Sequence, residues 1–160
     1  MPTTILWYVR TALLYILAAM VLGVAYQLDL WLGWFGWGRY VVTVHTHLAL
    51  VGGVILMIMG VGLWMFPLTQ PIDRRLPFRE PLAWATYALF NAGLLGRFVV
   101  EYAFRRYGGD LWGALTVLTG VMQVAAVLVF VYHLWSLRLS RRDKARRERK
   151  AAGEGGGAKE

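Results

Sequence analysis

The chain has no cysteine, and of its 160 residues only three are histidine and 16% are charged. Without cysteine there is no disulfide, no thiolate metal site, no cysteine nucleophile and no covalently attached c-type haem. Any metal or cofactor must be held by histidine, methionine or oxygen ligands. A water-soluble domain is closer to a quarter charged, so a soluble enzyme, a disordered segment and a nucleic-acid module all fit poorly. Apolar residues take the place of the missing charge: 58% of the chain is hydrophobic and 14% aromatic. The formal net charge of +8 does not restore a nucleic-acid reading, because nine of the 17 Lys and Arg lie after Leu137. The basicity belongs to one tail, and no nucleic-acid partner is expected.

A helix that crosses a membrane needs about 20 apolar residues in a row. Four such runs predict an all-α bundle of four transmembrane helices, over Ile5 to Leu28, Tyr40 to Phe66, Leu82 to Phe104 and Leu111 to Leu137. Each run is bounded by helix breakers: Asp29 and the glycines up to Gly38, then Pro67, Pro71, Pro77 and Pro81, then Gly108, Gly109 and Asp110. The connections are short, so sequential helices should be antiparallel neighbours. Arg10 followed by an apolar stretch gives the first run some likeness to a signal peptide. It is longer than such a segment and lacks a small-x-small cleavage pattern, so a retained span is expected. There is no internal repeat. Residues 1–140 read as the membrane domain and 141–160 as a basic, flexible tail.

Lys and Arg are asymmetric about this frame. Arg74, Arg75 and Arg79 join the nine tail residues on one side, and Arg39, Arg105 and Arg106 lie on the other. By the positive-inside rule both termini are expected in the cytoplasm. Tryptophan follows the same frame: Trp7, Trp64, Trp84 and Trp135 mark the inner interface and Trp31, Trp34, Trp37 and Trp112 the outer one. The tail reads as a topology anchor touching anionic lipid.

Two of the three histidines form His45-Thr46-His47, entering the second span from the outer side. At 1.5 Å per residue they lie about 8 to 10 Å deep. Ionisable residues at such depth are costly and usually functional, although two neutral imidazoles could also be packing glue between helices. Residues two apart on an α-helix are rotated by about 200°, so His45 and His47 cannot both ligate one haem iron from one chain. The missing ligand has no obvious source within the chain. Met122 has a comparable depth on the fourth span, where methionine usually serves packing, and the geometry points to an oligomer. His133 belongs near the inner end of the fourth span and reads as an interfacial histidine.

Arg97 shares the depth of the histidine pair, with Glu101 one turn away. It is either a membrane-buried ion pair or a partner for a haem propionate. Asn91, Thr116, Thr119 and Gln123 add polar atoms to the third and fourth spans, and Gly52, Gly53, Gly60 and Gly62 open the second to close approach.

The second span, with Gly38-Arg39-Tyr40, His45-Thr46-His47-Leu48 and Trp64-Met65-Phe66-Pro67, resembles the second helix of catalytic subunits of the haem-copper oxidase superfamily. The nitric oxide reductase branch is the most similar. In that family an Arg, then a His-Thr-Asn-Leu stretch, then an apolar run closing on aromatics and Pro carries the axial histidine of low-spin haem b. The resemblance therefore implies a haem b ligand at His45. It also implies a setting in a prokaryotic cell membrane. It covers about 30 residues, and this chain lacks both the twelve helices and the second-metal histidines of the family. Full oxidase or nitric oxide reductase activity is not expected from it alone.

The family fold is three arcs of four helices with pseudo-threefold symmetry, and a His-x-His pair in one arc serves two haems. One protomer here looks like one arc. The expected assembly is a homotrimer with haem b between second helices of adjacent protomers, held by His45 of one chain and the partner's His47. Arg97 would meet a propionate. Such a protein transfers electrons, exchanging them with a redox partner, or binds a diatomic gas such as nitric oxide or oxygen. Two other readings stand beside it: a copper or zinc ion held by threefold copies of His45 or His47, and a colourless accessory subunit of a respiratory complex. A transporter lacks support, since neither an inverted repeat nor a broken helix is present.

Overall fold

A computed structural model describes residues 3–33, 38–68 and 80–156. The chain folds into four helices. α1 is Thr3–Leu32. α2 spans residues 38–68 in three consecutive segments, α-helical over Gly38–Thr46, π-helical over His47–Ile55 and α-helical again over Leu56–Leu68. α3 is Glu80–Tyr107 and α4 is Asp110–Gly156. Trp34, Trp37, Arg74, Arg75 and Arg79, used above to orient the chain, lie outside the described residues, as does the side chain of Arg39.

The ends of the helices follow from local chemistry. Gly33 at φ +66° receives α1, its N–H bonding the Asp29 carbonyl, and Gly108 at φ +67° does the same for α3 with Phe104. A left-handed residue just past the last turn satisfies carbonyls that would otherwise be orphaned in an apolar setting. Pro81 stands in the first turn of α3, where its missing N–H costs nothing, and Asp110 opens α4, where a carboxylate suits the helix dipole.

Three helices are long and apolar enough to cross a membrane: Thr3–Leu32, Tyr40–Met65 and Asp110–Trp135. α3, expected as a fourth such span, has the length at 28 residues. Asn91, Arg97 and Glu101 keep it below the others in apolarity. Asn91 is answered by Tyr15 of α1, and Arg97 and Glu101 by an ion-pair cluster within α3 itself. A second departure concerns the tail. Helix continues to Gly156 through residues expected to be flexible, because Arg, Lys, Ala and Glu are strong helix formers.

Contacts define an up-down-up-down bundle with both termini at one end, called here the terminal end. α1 runs antiparallel to α2: Tyr8 meets Gly60, Ile16 meets Gly53 and the segment around Gly23 meets His45. α1 runs parallel to α3 and is tied to it by three hydrogen bonds. Tyr8 Oη donates to the Ala83 carbonyl (2.8 Å), Thr11 and Tyr87 hydroxyls meet at 2.6 Å, and Tyr15 Oη donates to Asn91 Oδ1 (2.6 Å). The spacings Tyr8, Thr11, Tyr15 and Ala83, Tyr87, Asn91 each trace one helical face. Asn91 Nδ2 in turn donates to the Tyr87 carbonyl, so the amide is engaged on both sides.

The core lies toward the terminal end, where all four helices meet through Tyr8, Leu56, Met59, Phe90, Ala126 and Phe130. Trp7, Trp64, Trp84 and Trp135 are exposed at this end and Trp31 at the far end, the distribution of aromatic belts. His133, expected at the interface, is turned inward and only 1% exposed.

α1 and α2 approach too closely for side chains at several α2 positions. A Cβ on Gly53 would stand 2.5 Å from Ile16 Cγ1, and one on Gly60 would stand 2.8 Å from Tyr8 Cβ. Tyr8 Cβ cannot swing away because it is fixed to the backbone. Gly60→Ala should therefore destabilise the bundle by about 1–3 kcal/mol, despite alanine's better helix propensity. Gly120→Ala, whose new methyl would meet nothing nearer than Arg97 Nη1 at 3.8 Å, should be neutral or mildly stabilising. Thermal denaturation of the two variants in detergent measures the contrast.

Candidate functional site

Two contacts bracket a level toward the far end of the bundle. Tyr40 Oη donates to the Phe98 carbonyl, and deeper down Gly52 packs on Tyr15 of α1 and Leu94 of α3. His45 and His47 lie between these contacts on α2, and Arg97 lies between them on α3. The sequence expectation of a common depth is thus reproduced by the packing. This level stands beyond the shared core, whose outermost members on α2 and α3 are Leu56 and Phe90.

His45 faces α1. Its Nδ1 is 2.7 Å from the Ala19 carbonyl. A carbonyl can only accept, so Nδ1 carries the proton and donates. The ring lies over Gly23, where a Cβ would stand 3.0 Å from Cε1 and 3.2 Å from Nδ1. His47 behaves alike but within its own helix: its Nδ1 donates to the Thr43 carbonyl at 2.9 Å. In both rings Nδ1 is the donor, so the neutral form of each is the tautomer that leaves its lone pair on Nε2. Metal-ligating histidines are commonly held this way, the second nitrogen bonded to a carbonyl or carboxylate.

His47 is also the first residue of the π-helical segment. Bonds from i to i+5 widen the turn, and such segments are rare and concentrated at functional sites. Here the widened turn carries Leu48, Gly52 and Gly53, all buried, so it is packed against neighbours along its length.

Arg97 points elsewhere. Its Nε donates to Glu101 Oε2 at 3.3 Å, while Arg105 donates to Glu101 Oε1 through Nε (3.2 Å) and Nη2 (2.8 Å). One carboxylate thus serves two guanidiniums, leaving the trio with one net positive charge. Arg97 Nη1 is the atom that a Cβ on Gly120 of α4 would approach. Arg97 accordingly lies along the α3–α4 seam, and among the described residues no hydrogen bond joins it to either histidine. Met122 packs on Gly93 in the same seam, next to Gln123, consistent with a packing role. Gln123 Nε2 is buried there and makes no hydrogen bond among the described residues. Thr116 and Thr119 bond to carbonyls of their own helix. No cluster of three or more His, Asp or Glu suited to a metal occurs among the described residues.

Ala19 and Gly23 were not identified from the sequence. Small residues four apart permit close approach, but Ala12, Ala18 and Ala25 are also small, so the sequence did not single out this pair. Their role makes a direct prediction. Gly23→Ala should displace the His45 ring and weaken its bond to Ala19, at a cost of about 1–3 kcal/mol. Imidazole 15N NMR should show His45 held as the Nδ1–H form in the parent protein and should lose that signature for His45, with His47 unchanged, in the variant. Compared with known proteins, this chain matches no family model, no curated protein and no solved structure, so its site rests on its own chemistry.

Proposed function

We propose that this chain is an integral membrane protein that binds b-type haem between the second helices of adjacent copies and serves electron transfer or diatomic gas binding. The observation that carries the reading is the matched state of His45 and His47. Each ring is locked through Nδ1 to a backbone carbonyl, at 2.7 and 2.9 Å, and each keeps Nε2 as a Lewis base. The rings take partners on different helices, which suits ligation of different irons rather than one. Haem iron held by two imidazoles is six-coordinate and suits electron transfer, whereas an open position suits nitric oxide or oxygen.

The surroundings support the same reading. The three apolar helices call for a bilayer. The second span carries the motif that resembles the low-spin haem helix of haem-copper oxidase and nitric oxide reductase subunits, and the π-helical turn begins at one of the two candidate ligands. Arg97 lies at the same level, with Glu101 and Arg105 of its net positive trio further toward the far end, and such a guanidinium would suit a propionate. Among the described residues no third ligand joins the pair; in this reading other copies complete the site, and three arcs of four helices make a closed ring of twelve. In this reading the protein occupies a prokaryotic cell membrane with both termini in the cytoplasm.

The visible spectrum of the protein purified from a haem-sufficient host is the test. A Soret band and a b-type pyridine haemochrome are expected, with His45→Ala and His47→Ala each removing most of the haem. Carbon monoxide shifts the reduced spectrum only if an axial position is open. A colourless preparation without transition metal supports the accessory-subunit reading instead. A colourless one with about one copper or zinc per three chains supports the axial metal site.

A further inference from the structure

α4 is one helix of 47 residues, whereas its membrane-spanning part ends at Trp135. Residues 136–156 therefore continue along the same axis for about 30 Å at 1.5 Å per residue. The headgroup layer beyond the hydrocarbon is about 5–8 Å thick. Arg138, about 4.5 Å past Trp135, falls within it, and Arg141 and Arg142, about 9 and 10.5 Å past, follow just beyond its edge. Arg146, exposed on the helix, lies about 16 Å along the axis past Trp135, roughly a Debye length out from the headgroups. The more distal charged positions of the sequence lie further out along the same axis.

Their composition restricts what they can bind. Between Arg138 and Lys150 there are eight Lys and Arg, six of them Arg, against Asp143 and Glu148. An amphipathic helix lying on a membrane needs an apolar face, and here only Leu139 and Ala145 are apolar. Protein interfaces are anchored by buried aromatic or aliphatic side chains, and residues 138–150 contain no aromatic at all. A partner for this segment must be recognised by charge alone, along a rod, by guanidinium groups. A phosphodiester backbone fits that description, since Arg binds phosphate in bidentate fashion and such contacts need no apolar core. On a helical projection Arg142, Arg146 and Arg149, all beyond the headgroup layer, fall on one stripe, matching a linear polyanion.

We infer that the part of α4 beyond the membrane, centred on Lys144 to Lys150, is a docking arm for the phosphate backbone of nucleic acid in the compartment it enters. The composition argument against a nucleic-acid partner treated this segment as a lipid anchor, and an unbroken helix standing off the membrane removes that premise.

The test uses the full chain in phosphatidylcholine nanodiscs with a fluorescein-labelled 20-nucleotide RNA, read by anisotropy. With about five phosphate contacts on a single strand, affinity should fall about 100-fold between 50 and 200 mM salt. Replacing Lys144, Arg146, Arg147, Arg149 and Lys150 by Gln should weaken binding at least about 30-fold at 50 mM salt, with the melting temperature of the membrane domain unchanged. Equal binding by parent and variant overturns the inference. So does equally effective competition by polyglutamate, which would assign the arm to an acidic protein surface. Loss of RNA binding in nanodiscs containing phosphatidylglycerol would return the arm to the lipid surface and also overturns it.

Discussion

The contact between α1 and α2 across Gly52, Gly53 and Gly60 determines where everything else sits. In lipid there is no hydrophobic force between helices, so association depends on close packing and on hydrogen bonds between buried polar groups. The missing side chains on α2 bring its backbone against Tyr8, Tyr15 and Ile16. The same α1 face that touches α2 carries the hydroxyls that reach α3, so Tyr8 and Tyr15 are packed by one helix and hydrogen-bonded to another. If α1 were held further from α2, the ladder to α3 would lose its register. His45 would also lose its seat on Ala19 and Gly23.

That arrangement divides the molecule into two functional halves. Toward the terminal end, four helices share a core and the hydrogen bonds are structural. Toward the far end the large shared core cluster is left behind, and the residues at the bracketed level include His45, His47 and Arg97. A protein that binds a cofactor at a subunit boundary needs such a division. One half must hold the fold of the single chain, and the other must present groups that are satisfied but not buried. Both histidines are partly exposed, and the one fully buried histidine, His133, lies in the structural half.

Much of this was legible in the sequence, for identifiable reasons. Apolar runs and their Gly and Pro boundaries reveal helices because lipid demands long uninterrupted ones, and the depth of His45, His47 and Arg97 follows from counting residues along those helices. The partners of these groups were not legible. That His45 leans on Ala19, that Arg97 is committed to Glu101 beside Arg105, and that Met122 faces Gly93 depend on helix rotation and pairing, which a pattern of apolar residues leaves open when every face is apolar. The π-helical segment was hidden for a related reason. His47–Ile55 contains only apolar and glycine residues after its first position, a composition equally compatible with α-helix, and the choice is made by packing on α1 and α3.

The two readings of the histidine pair can be weighed on chemistry already visible along the chain. As glue, a side chain in a membrane helix needs one donor to satisfy or stiffen a carbonyl. Thr46 does this with Val42 at 2.9 Å, Thr86 with Leu82 and Thr116 with Trp112. His47 makes the same bond to Thr43, also at 2.9 Å, using only Nδ1. Threonine would do that work with a smaller side chain and without placing a second polar atom in lipid. What the imidazole adds is Nε2, a second ring nitrogen that the bond to the carbonyl leaves over. The same surplus occurs at His45, two residues away and pointing to another helix. Helix packing uses both Nδ1 atoms, and among the described residues neither Nε2 takes a hydrogen bond, which is the feature the proposed haem site would draw on.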